Sequence, residues 1–97
     1  MNNEIPKNIG ESRVILYSPI DKRHFSTGEC EHEIDGIKLE NAKWAAITQY
    51  NNDSGYYLFF CYESEHLTDT YHKTIEDAKE QAEYEYKGLA LTWEEKT

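Results

Sequence analysis

The chain has 97 residues and a formal net charge of −9. That length supports one domain with a single modest core. The acidity argues against direct contact with phosphate backbones and favours association with a basic partner.

Hydrophobic residues make up 38% of the chain, but there are eight tyrosines. Amphipathic rings must therefore supply much of the burial, each needing a place for its polar tip. The charge is unevenly spread. Residues 1–62 hold 9 acidic and 6 basic residues, net −3, while residues 63–97 hold 10 and 4, net −6. The two cysteines, Cys30 and Cys61, are too few for a disulfide scaffold and neither belongs to a CxxC pair. No N-terminal stretch combines a positive start with an apolar run, and no apolar run is long enough to span a bilayer. A cytoplasmic protein with reduced thiols and no membrane association is the expectation.

In chain order, residues 1–11 are polar and read as a loosely held arm. Ser12 to Ser18 is the first expected strand. Its Val14, Ile15 and Leu16 run together, so alternation does not decide which side faces inward. Pro19 ends it, because proline cannot donate to a ladder, and Ile20 to Ser26 is a charged connection. Thr27 to Asp35 alternates, with Glu29, Glu31 and Glu33 on one face and Cys30, His32 and Ile34 on the other. Asp35-Gly36 is a turn signal.

Lys43 to Tyr50 and Tyr56 to Tyr62 are the strongest strand pair, joined by the turn-forming NNDSG. The second strand, YYLFFCY, is apolar or aromatic on both faces, which places it centrally in a sheet covered on both sides. Glu63 to Lys73 reads as a polar connection. Thr74 to Gly88 then carries helix grammar. Thr74 is an N-cap, Glu76 and Asp77 sit at the positive end of the dipole, and Gly88 provides a left-handed stop. Ile75, Ala78, Ala82, Tyr86 and Leu89 form the apolar stripe. Leu89 to Trp93 is a short last strand or an anchor for Trp93. The expected class is α+β: an antiparallel sheet of four to five strands with one C-terminal helix packed on one face.

No catalytic motif stands out. A zinc site needs three or four ligands at about 2.0–2.3 Å, and only Cys30 and His32 have suggestive spacing. Cys61 lies within an aromatic strand and Cys30 between two glutamates, so neither thiol is placed for activation. There is no nucleophile elbow, glycine-rich phosphate loop or HExxH. No cofactor, metal or catalytic residue is expected. His66 and His72 precede the helix without an assignable role. Asp69 and Thr70 read as loop-tying residues, and the alternative for this stretch is that Tyr71 with His72 beside it lines a small binding cleft.

The remaining candidates are acidic surfaces. Glu29, Glu31 and Glu33 form one row. Glu76, Glu80 and Glu83 form another at i, i+4 and i+7, interrupted by the opposite-charge pairs Lys79–Glu83 and Glu83–Lys87. Either row is an ordinary solvated face or a contact surface for a basic protein. The alternative binding site is the sheet face opposite the helix, around Tyr57 and Phe59, for a small ligand or for a second copy in a homodimer.

The segment from Asp69 to Trp93 resembles the C-terminal signature of a set of small, largely uncharacterised bacterial proteins. The shared features are Asp69-Thr70-x-His72, then Ala78-x-x-Gln81-Ala82-Glu83-x-Glu85-Tyr86-x-Gly88, then Trp93. The aromatic strand before it is similar too, so the resemblance covers about the second half of the chain. Small acidic proteins of this kind resemble immunity proteins of bacterial toxin systems. That resemblance implies neutralisation of a toxin by stoichiometric binding, and it supplies no catalytic residues.

Overall fold

The NNDSG loop closes the expected hairpin. A computed structural model describes residues 5–26, 33–34, 37–38, 42–62 and 67–96. In it β6 (Trp44–Tyr50) pairs antiparallel with β7 (Tyr56–Cys61), from Trp44 opposite Cys61 to Thr48 opposite Tyr57. Around this hairpin the described residues form an antiparallel sheet and one helix, an α+β arrangement. The sheet runs β1 (Asn8–Ile9), β2 (Ser12–Pro19), β6, β7 and β8 (Leu67–His72), with β10 (Glu94–Glu95) also paired to β2. The aromatic strand β7 is interior, and β6 is the middle of the order.

Both faces of the hairpin are buried, as its composition requires. One face contributes Ala45, Ile47, Leu58 and Phe60 to a cluster that also holds Tyr62, Ala78, Ala82, Tyr86 and Leu89. The other contributes Trp44, Ala46 and Cys61 to a second cluster with Ile5 and Val14. Burial of a ring such as Phe60, whose centroid lies 5.3 Å from that of Tyr86, contributes about 2–3 kcal/mol.

A bulge explains why the Val14-Ile15-Leu16 run has no readable period. The β2–β6 register shifts between Val14, opposite Thr48, and Leu16, opposite Ile47. The extra residue lets Val14 join one cluster and Leu16 the other. A strand that changes allegiance midway serves two cores and cannot alternate.

Four expectations need correction. Residues 5–11 are not a loose arm: Ile5 is buried, β1 pairs with β2, and the Lys7 carbonyl accepts from Val14 N at 2.8 Å. The second face is apolar, and Ile5 and Ile9 cover part of it. Residues 67–72 are not a connection but a strand paired with β7 along its whole length. The charged connection after Pro19 contains β3 (Phe25–Ser26), which pairs with β9 (Tyr86–Lys87). The sheet therefore exceeds the four to five strands expected, through the short β1 and β10. Of the alternating segment 27–35, only Glu33–Ile34 falls among the described residues, as β4 paired with β5 (Ile37–Lys38).

The helix α1 spans Ile75–Glu85. Its start is as expected, with Thr74 Oγ1 accepting from Asp77 N at 3.0 Å. Its end is not. Tyr86 is already extended, so the chain leaves the helix into β9. Gly88 is left-handed, with φ 104°, but it opens a 3-10 turn at Leu89–Leu91 instead of closing α1. The Glu83 carboxylate holds this turn, accepting from Gly88 N at 3.0 Å and from Ala90 N at 2.9 Å. The Tyr86 hydroxyl accepts from Ala42 N at 2.9 Å, tying the end of α1 to the start of β6.

The turn at Gly88 presses on the loop after β2. A Cβ on Gly88 would lie 2.6 Å from the Arg23 carbonyl oxygen. Beside it His24 is buried, with Nδ1 accepting from Asp21 N at 3.1 Å and Nε2 lying 2.9 Å from Thr92 Oγ1. Thr92 Oγ1 is in turn 2.7 Å from Ser18 Oγ, which donates to the Pro19 carbonyl at 2.8 Å. With Nδ1 accepting, Nε2 carries the proton, and one polar chain runs His24 to Thr92 to Ser18. It locks the C-terminal segment to the end of β2. Trp93 is then partly buried against the first cluster.

Ala82 is fully buried in that cluster. Ala82→Leu is expected to overpack it and lower unfolding free energy by about 1–3 kcal/mol in urea titrations; an unchanged midpoint would mean that the packing there is loose. Gly88→Ala combines a positive φ with the Arg23 approach. It should cost about 1–3 kcal/mol by the same assay, and a stability equal to the parent would show that the turn can rearrange freely.

Candidate partner-binding surface

The turn between β8 and α1 is short. His72 ends the strand, Lys73 and Thr74 follow, and the helix begins at Ile75. The last residues of β8 are thereby set beside one helix stripe, Asp77, Glu80, Gln81 and Tyr84, spaced i, i+3, i+4 and i+7. Together with Tyr71, His72 and Lys73 they line an open groove of about 620 Å³. Asp77 and Glu80 are exposed. Two large rings stand with them, Tyr71 at 49% and Tyr84 at 51% exposure.

Tyr71 is held in place. Its ring lies so closely over Gly55 that no side chain would fit there. Its centroid is 5.3 Å from that of Tyr57, at an interplanar angle of 67°. Tyr57 also meets Tyr50 edge-on at 5.4 Å and lies 6.4 Å from Phe59. The face around Tyr57 and Phe59 is thus a run of rings across β6, β7 and β8 that contact each other. Burial, then the nearby Asp53 carboxylate, pushes the Tyr57 hydroxyl above its ordinary value.

His72 sits at the groove floor, half-buried, with Nε2 2.7 Å from Thr70 Oγ1. Burial lowers its pKa, and the Asp77 and Glu85 carboxylates oppose that shift. The net shift favours the uncharged imidazole over the cation.

The structure splits the expected acidic row on α1. Glu80 lines the groove with β8. Glu76 lines a second groove of about 390 Å³ with Arg13, Lys79, Glu95 and Lys96, where basic residues mix with it. Glu83 is engaged by the 3-10 turn. Glu29 and Glu31 lie outside the described residues, as do the side chain of Glu33 and the residues Cys30, His32 and His66. Tyr71 beside His72 is the alternative cleft reading of the sequence and Asp77 is placed there only at the helix start, while Gln81 and Tyr84 are not read as binding residues. The signal that marks them is the polar stripe 77-80-81-84, which lies next to the apolar one.

Among the described residues no three His, Cys, Asp or Glu side chains are grouped to hold a metal, and no helix is long and apolar enough to cross a membrane. Cys61 is buried, with its Sγ 3.7 Å from the Tyr62 carbonyl. Comparison with protein-family models, with curated proteins and with solved structures finds no match.

The His72 shift sets a pH dependence. Its folded pKa lies below the ordinary 6.5, so the folded state binds this proton less readily than the unfolded state. The associated stability is fully present above that value and is lost as pH falls through the folded pKa. Between about pH 7.5 and about pH 5, the parent should lose more stability than His72→Gln. Parallel denaturation curves at the two pH values would show instead that His72 is solvated as in the unfolded chain.

Proposed function

We propose that this chain is a protein-binding module of the immunity-like kind, acting in the cytoplasm by stoichiometric occupation of a basic partner. The observation that carries this reading is the exposed Tyr84 ring beside the exposed Asp77 and Glu80 carboxylates in one groove, with the exposed Tyr71 at its β8 rim. Exposed aromatic side chains are the groups that most often anchor protein interfaces, and the acidic groups beside them select and steer a cationic surface. In this reading α1 is the C-terminal helix packed on the Ala45, Ile47, Leu58 and Phe60 face, and its remaining stripe forms one wall of the site. Glu29, Glu31 and Glu33 extend the same acidic character elsewhere on the chain.

The small-ligand reading of the Tyr57 and Phe59 face is weaker. Those rings contact one another, and the same side of the sheet carries the Ile5, Val14, Trp44 and Cys61 cluster.

The test separates local from global charge. A lysine- and valine-containing peptide is titrated against the parent, the double variant Asp77→Lys with Glu80→Lys, and the control Glu94→Lys with Glu95→Lys. Both variants change net charge equally, and Glu94 and Glu95 lie on β10 away from the groove. The groove variant should lose about tenfold more affinity than the control, and parent binding should weaken as salt rises from about 0.05 M to about 0.2 M. Equal losses in both variants, or binding indifferent to salt, would sink the assignment.

A further inference from the structure

Strand β8 is the end of the sheet order, pairing with β7 on one side. Among the described residues no strand pairs with its other side. Edge strands are normally guarded by lysine, proline, a bulge or a covering segment. The opposite flank shows such covering, since both β1 and β10 lie on β2. Within Leu67–His72 there is no lysine, no proline and no bulge, Asp69 is the one carboxylate, and the register with β7 runs without a shift from Tyr56 opposite His72 to Cys61 opposite Leu67. The strand is also exposed along most of its length. Among the described residues it is an uninterrupted strand with one side unpaired.

We infer that the partner adds to β8 as an extended segment in which basic and apolar residues alternate. The inference rests on the protein-binding reading and specifies how the partner is held. The alternation follows from the two faces of β8. Thr68, Thr70 and His72 point to the side of the sheet where α1 begins, so every second residue of an added strand approaches Asp77 and Glu80. Leu67, Asp69 and Tyr71 point the other way and are exposed, Leu67 and Tyr71 at 45% and 49%, so the intervening residues of the added strand meet two apolar side chains with one carboxylate between them. Main-chain hydrogen bonds to the open edge hold the segment, and the side chains select it.

Charge decides between the two occupants an open edge can take. A second copy of this chain would bring Asp69, Asp77 and Glu80 against their equivalents, in molecules that each carry −9. A cationic strand meets the same groups with attraction.

The experiment uses the full chain and three peptides: one alternating Lys and Val, one of identical composition with its Lys and Val in separate blocks, and the alternating peptide N-methylated at every residue. Affinity is measured by titration and the edge by amide hydrogen exchange at Leu67–His72. The alternating peptide should bind about tenfold more tightly than either of the others and slow exchange in β8. The exposed edge variant Asp69→Lys should weaken it by about tenfold more than Glu94→Lys does. If all three peptides bind alike and the losses still follow Asp77 and Glu80, strand addition is overturned while the acidic groove stands. If none binds, both readings fall. If β8 exchange slows with concentration of the chain alone, the occupant is a second copy and the basic-strand assignment is wrong.

Discussion

Everything in this fold depends on β7 having no hydrophilic side. Tyr56, Leu58 and Phe60 point one way, and Tyr57, Phe59 and Cys61 the other. A strand of this kind is stable only if both sheet faces are covered, and a chain of 97 residues has little material for two covers. The solution is economical in residue types. Two fully buried alanines, Ala78 and Ala82, share a cluster with Leu58 and Phe60. On the other side the cover includes Ile5 and Ile9 from the N-terminal segment, together with Val14 and Trp44. The bulge at Ile15 is the joint between the two arrangements, because it lets one strand supply an apolar residue to each core.

Where the sequence was legible, the cause was local and chemical. Thr74 caps the helix through its own hydroxyl, and the NNDSG loop closes its hairpin by turn chemistry. Where it was not legible, the cause was tertiary. Leu67 to His72 is rich in Thr, Asp and His and has little to bury, which is what a strand at the open end of a sheet looks like. Its strand conformation is imposed by the unpaired ladder of β7. The end of α1 was misplaced for a similar reason. Tyr86 is drawn out of the helix by pairing with Ser26 and by the Ala42 hydrogen bond, so Gly88 acts two residues beyond Tyr86. The left-handed glycine was predictable, but not the element it would serve.

The surface was harder to read than the fold, because a row of like charges along a helix does not disclose which members are already occupied. Glu76, Glu80 and Glu83 look equivalent in sequence. In three dimensions Glu83 holds a turn, Glu76 shares a groove with Arg13, Lys79 and Lys96, and only Glu80 joins the groove beside β8. The companions of Glu80 come from a different stripe and from another element. Tyr71 in particular belongs to the site only because β8 is a strand and because Gly55 lets its ring settle over the hairpin.

Net charge and available charge are therefore different quantities in this molecule. Asp21 is bound to Arg23, whose guanidinium and backbone N–H hold its carboxyl down at about 2. Glu85 is buried and accepts from Gln81 at 2.9 Å, and Glu83 is committed to the 3-10 turn. Asp77 is favoured where it stands by the positive end of the helix dipole, yet its carboxylate remains exposed. Glu80 and Asp69 are exposed as well. The acidic groups left open by the fold thus include three beside β8, the end strand of the main sheet. An excess of charge spread evenly over a surface gives solubility and long-range attraction. The same charge gathered along an open edge, between two exposed rings, defines a direction in which a partner chain can lie.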